Sequence, residues 1–87
     1  MNKYQKIYCD IYYNGKMPKT KIGKEEFNLL GKCENFVTVN YGEKFGNKVE
    51  TYWISDECNM PEGKIDVHTL ASNLRFWTFK GFEIIYG

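Results

Sequence analysis

The side chains of this sequence best suited to chemistry are three cysteines, Cys9, Cys33 and Cys58, and one histidine, His68. Together they match the Cys3His ligand set of a structural zinc site. Such sites draw their ligands from close pairs, whereas here the separations are 24, 25 and 10 residues and no CxxC occurs. The same groups with an aspartate would compose a nucleophilic triad, with Cys58 in a polar stretch shortly before His68. No nucleophile signature surrounds Cys58. The glycines are scattered over turns, with neither GxGxxG nor the phosphate-loop pattern. The expectation is a chain that is not an enzyme, with no metal and no cofactor. Its cysteines then read as free thiols of a reducing compartment.

Rings are the more informative feature. Aromatic residues make up 17% of the 87 residues, against a net charge of +1. A chain this short forms one domain, residues 1–87, and buries only about two thirds of its unfolded surface. Each buried ring removes roughly 150–250 Å² from water, so rings serve either a thin core or a binding surface.

The elements that would position those rings follow from periodicity. Residues 4–13 alternate Ile7, Cys9, Ile11 and Tyr13 with Tyr8, Asp10 and Tyr12, the period of a strand. Asn14-Gly15 marks a turn. Residues 23–31 place Phe27 and Leu30 three apart and end on a glycine, which predicts a short helix. Residues 36–41 and 49–54 are rich in β-branched and aromatic types and predict a hairpin around the Gly-containing connector 42–47. Residues 56–63 read as a loop. Asp66 is a good N-cap, and Val67, Leu70, Ala71, Leu74 and Trp77 form one helical face closed by Lys80 and Gly81. Residues 82–86 predict a last strand; the competing arrangement pairs 76–79 with 82–86 as a hairpin.

The order β-α-β-β-α-β predicts an α+β fold of the ferredoxin-like kind. It would have one four-stranded antiparallel sheet with two helices on one face. With Ile7, Cys9, Ile11, Val37, Val39 and Tyr41 inward, the open face would carry Tyr8, Tyr12, Phe36 and one of Tyr52 or Trp53. Exposed ring clusters of that size mark interaction sites.

Charge is unevenly spread. Residues 1–32 hold seven lysines against Asp10, Glu25 and Glu26, whereas the remainder is acidic. Lys16, Lys19, Lys21 and Lys24 concentrate the basic part, which suits orientation of a partner. No run of about 18 apolar residues predicts a membrane span, and no apolar leader follows Met1, so the cytoplasm is expected. Lysine, asparagine and tyrosine are over-used, as in AT-rich genomes such as those of many phages and mobile elements. The function expected is a small binding protein, a phage-encoded inhibitor that occludes a host enzyme or defence complex. Tyr8, Tyr12, Tyr52 and Trp53 would make the contact, with Lys19 and Lys21 beside them. The alternative is an RNA or single-strand binder using the same face. Residues 48–55 lack the glycine of an RNA-recognition strand and place Glu50 where a ring is wanted. A second copy of the chain is a further partner that such a face admits.

Overall fold

The structure, a computed structural model, describes residues 1–55 and 64–87. The predicted loop 56–63, with Cys58, lies outside the described residues. The first element is a helix, α1 (Lys3–Tyr13), where alternation predicted a strand. The cause is a capping box. Asn2 Oδ1 accepts from the Gln5 N–H at 2.8 Å, and Gln5 Oε1 accepts from the Asn2 N–H at 2.8 Å. Tyr4 and Tyr8, one turn apart, and the adjoining Cys9 are buried, while Ile11 is exposed. Asn14 closes the helix in the left-handed region at φ 52°, a conformation that asparagine tolerates.

The second helix, α2 (Lys21–Leu30), starts earlier than predicted because Thr20 Oγ1 accepts from the Gly23 N–H at 3.0 Å. A hairpin follows, β1 (Phe36–Asn40) and β2 (Val49–Ser55), joined through a 3₁₀ turn at Glu43–Phe45. A three-residue strand, β3 (Lys64–Asp66), precedes α3 (Val67–Lys80) and the last strand, β4 (Glu83–Tyr86). Asp66 Oδ1 accepts from the Thr69 N–H at 2.7 Å, and Gly81 ends α3 at φ 79°. The predicted apolar face of α3 is the buried one. The alternative hairpin at 76–86 is excluded, since α3 runs through Lys80.

The chain is therefore α+β, but not ferredoxin-like. It has three helices and a mixed four-stranded sheet in the order β3-β2-β1-β4. β1 pairs antiparallel with β2 and with β4, whereas β3 pairs parallel with β2. With residues 4–13 helical, the fourth strand comes from residues 64–66, too short for any periodicity to reveal.

Val37, Val39, Ile54 and Ile65 point into one core with Leu29, Leu30, Leu70, Leu74 and Trp77. All three helices thus lie on one side of the sheet, and the molecule is only 16 Å along its shortest axis. Polar ties lock the helices together. Asn2 Nδ2 donates to the carbonyls of Leu30 at 2.8 Å and Cys33 at 3.2 Å. Tyr8 Oη donates to Glu26 Oε1 at 2.7 Å, and Arg75 Nε donates to Glu26 Oε2 at 3.3 Å. Among the described residues, no helix is long and apolar enough to cross a membrane.

Candidate binding surfaces

The structure separates the six residues expected to share one surface. Tyr8 is 2% exposed and belongs to the core. Its burial, then its bond to Glu26, raises the phenol well above the ordinary tyrosine range. Tyr12 is 44% exposed on α1, not on a sheet. Its hydroxyl is hydrogen-bonded to His68 Nδ1, and the two rings stack with centroids 5.6 Å apart. Lys19 and Lys21 are exposed where the α1–α2 loop folds back, Tyr13 Oη lying 3.1 Å from Thr20 Oγ1. Tyr12, Lys19 and Lys21 thus all belong to the helix layer.

Tyr52 and Trp53 face opposite ways, as neighbours on a strand must. Tyr52 points to the helices and stacks on Trp77 at 5.8 Å. Its hydroxyl donates to Glu50, a bond that raises the phenol and lowers the carboxyl. Trp53 points to the open side and is 53% exposed. Of the expected open-face rings, Phe36 and Trp53 are there, and Tyr8, Tyr12 and Tyr52 are not.

The open sheet face is built by register. Phe36 stands opposite Trp53, with ring centroids 5.1 Å apart and planes tilted by 57°. Thr38 stands between Thr51 and Ile85, and its Oγ1 is 2.9 Å from Thr51 Oγ1. Asn40 stands between Val49 and Glu83. The two threonine hydroxyls satisfy each other, so the middle of the face presents methyl groups. Trp53, Ile85 and Val49 are each more than half exposed. By alternation the charged side chains of the described strands on this face are Lys64, beside Trp53, Asp66, which caps α3, and Glu83 at the opposite corner. The middle of the face is therefore apolar, and its charges stand on the edge strands.

Sequence reasoning missed Ile85 and Val49. Bulky residues of both parities in β2 and β4 leave strand facing undecided; the Tyr52–Trp77 stack resolves it for β2, and the pairing of Ile84 and Tyr86 with Val39 and Val37 resolves it for β4. Cys9 and Cys33 are buried and unpaired by disulfide. Burial pushes the Cys33 thiol up to about 12, which leaves it protonated and unreactive at neutral pH. Among the described residues no group of three metal-ligand side chains converges. The chain matches no protein-family model, and neither curated proteins nor solved structures show a similar one.

Proposed function

We propose that the protein is a small non-catalytic binding protein that acts by occlusion, with the open sheet face as its contact surface. Its target is a host protein, an enzyme or defence complex, and the chain belongs to a phage or mobile element. The observation that carries this reading is Trp53, half exposed against Phe36 on a sheet face that none of the described helices covers. Tryptophan surrounded by smaller apolar groups is the usual composition of an interface hot spot. The four strands span roughly 15 Å by 17 Å. That suffices for the centre of an interface of about 800 Å² per partner, with flanking loops supplying the rim. Charge weighs against RNA on this face. Lys64 is its one cation among the described residues, while Lys19 and Lys21 stand on the helix layer across the sheet. A strand of nucleic acid needs several cations along its backbone.

The test is affinity capture from a bacterial lysate, with and without nuclease. It compares the native protein, Trp53→Ala with Phe36→Ala, and Tyr12→Ala with Lys19→Ala and Lys21→Ala. The expected result is one protein retained despite nuclease, lost with the first variant and kept with the second, all three having the same circular dichroism. Loss with the second variant alone would move the site to the helix layer. Loss on nuclease treatment would replace the protein target by nucleic acid.

A further inference from the structure

We infer that a second site, on the helix side of the sheet, binds a small flat aromatic anion such as a nucleoside phosphate or an aryl carboxylate. It is a groove of about 950 Å³ between the connector of residues 42–48 and the last turn of α3. That size suits a single small ligand. Phe82 forms its wall with Tyr41 at 4.8 Å and Phe45 at 5.5 Å, both edge-on. Phe76 lines the α3 side. Phe45 is 58% and Phe76 51% exposed, a large apolar area for residues that line one concavity.

Charge decides which flat ligand fits. Lys48 is held by Glu50 at 3.3 Å and lies 5.8 Å above the Tyr41 ring. Lys80 lies 5.6 Å above Phe76 and, like Lys44, makes no ion pair among the described residues. Glu43 is the one remaining carboxylate of the lining, so the groove has an excess of one positive charge. A cationic ligand is disfavoured, because ammonium groups already occupy the faces of Tyr41 and Phe76 that would receive it. Tyr41, Phe45 and Phe82 also pack too closely to admit a cation between them. A neutral ring would gain stacking alone. A ring with a carboxylate or phosphate gains stacking from Phe45 and an ion pair from Lys80 or Lys44.

Tyr41 and Phe82 pack against the helix-side core, so this site and the Trp53 face succeed or fail separately. The test is a titration of the isotope-labelled full chain, read by amide chemical shifts. The probes are adenosine monophosphate, adenosine, indole-3-acetate, indole, inorganic phosphate and a short oligothymidylate. Adenosine monophosphate or indole-3-acetate should shift residues 42–48 and 76–82, binding about tenfold more tightly than its uncharged parent. Whichever of the two binds more tightly identifies the source of the anion. Phe45→Ala and Lys80→Gln, both at exposed positions, should each weaken binding about fivefold or more without altering the rest of the spectrum. The proposal is overturned if the uncharged parents bind equally well, or if phosphate alone binds as tightly as the nucleotide. It is also overturned if no shift appears in the groove up to about 10 mM ligand, a concentration that detects even millimolar affinity. Oligothymidylate binding there more tightly than the mononucleotide would replace the small ligand by a nucleic-acid strand.

Discussion

The ring of Tyr52 lies nearly flat against the indole of Trp77, with centroids 5.8 Å apart and planes 17° from parallel. This contact between β2 and α3 decides which residues of β2 face the core. By alternation it sends Trp53 to the open side. Trp77→Ala should therefore cost about 3–5 kcal/mol, as for a buried aromatic truncated to alanine. Trp53→Ala should cost less than about 1 kcal/mol, as for a surface position. Urea midpoints at equal slopes measure both. In the native protein, a soluble quencher should reach the Trp53 indole and spare that of Trp77.

Asn2 serves three structural purposes from one side chain. It caps α1, and it satisfies the carbonyls of Leu30 and Cys33 at the end of α2. Loss of a cap costs about 1 kcal/mol, and an abandoned acceptor adds about 1 kcal/mol or more. Asn2→Ala should thus destabilise the fold by about 2–3 kcal/mol. Asn2→Asp keeps the cap but cannot donate to the carbonyls, so it should fall between the two. Chemical denaturation of the three proteins gives the ranking.

Glu26 joins all three helices through Tyr8 and Arg75. The two bonds differ in setting. The Tyr8 hydroxyl is in the core, whereas the Arg75 side chain is 41% exposed. Tyr8→Phe should cost about 1–2 kcal/mol, since a hydrogen bond to a charged group is lost in a sheltered place. Arg75→Met should cost less than about 1 kcal/mol, because water screens the ion pair. A double-mutant cycle between Tyr8→Phe and Glu26→Gln should show coupling of roughly 1 kcal/mol. Equal losses from Tyr8→Phe and Arg75→Met would contradict this picture.

Alkali should unfold the protein earlier than acidity of its surface groups suggests. The Cys33 thiol rises from 9.0 to about 12 through burial, and the Tyr8, Tyr41, Tyr52 and Tyr86 phenols are also raised. A raised value means that the native state holds its proton to higher pH than the unfolded chain does. The stabilisation is complete below the unfolded-chain value and is lost as pH climbs through the native one. Stability should therefore begin to fall near pH 9, the ordinary thiol value, and fall faster from about pH 10, where unfolded tyrosines ionise. The Cys33 share is about 2 kcal/mol by about pH 10.5. Cys33→Ala should reduce the loss between about pH 9 and 10, to which Cys9, also raised by burial, still contributes, and leave the later one. Denaturant midpoints against pH test both statements.

Local signals determined part of this fold. The α3 stripe, its Asp66 cap and its Gly81 stop are all written within a few residues of one another. The β1–β2 hairpin is equally local, since strand-forming residues flank a glycine-containing connector. The inward facing of Val37, Val39 and Tyr41 followed from alternation alone. Residues 4–13 fit both a period of two and a helical turn, and the Asn2–Gln5 box that favours the helix lies at the edge of the pattern.

The sequence by itself thus determined an α+β chain with a ring-rich sheet and lysines gathered near its start. Only the tertiary structure decided that Tyr8 is core, that Tyr12 and the lysines lie across the sheet from Trp53, and that β3 makes the sheet mixed. The physical reason is that these outcomes rest on contacts between distant segments. Tyr52 meets Trp77, Tyr8 meets Glu26, and Trp53 pairs with Lys64. Periodicity reports which residues share a face of their own element, whereas packing alone chooses what that face meets.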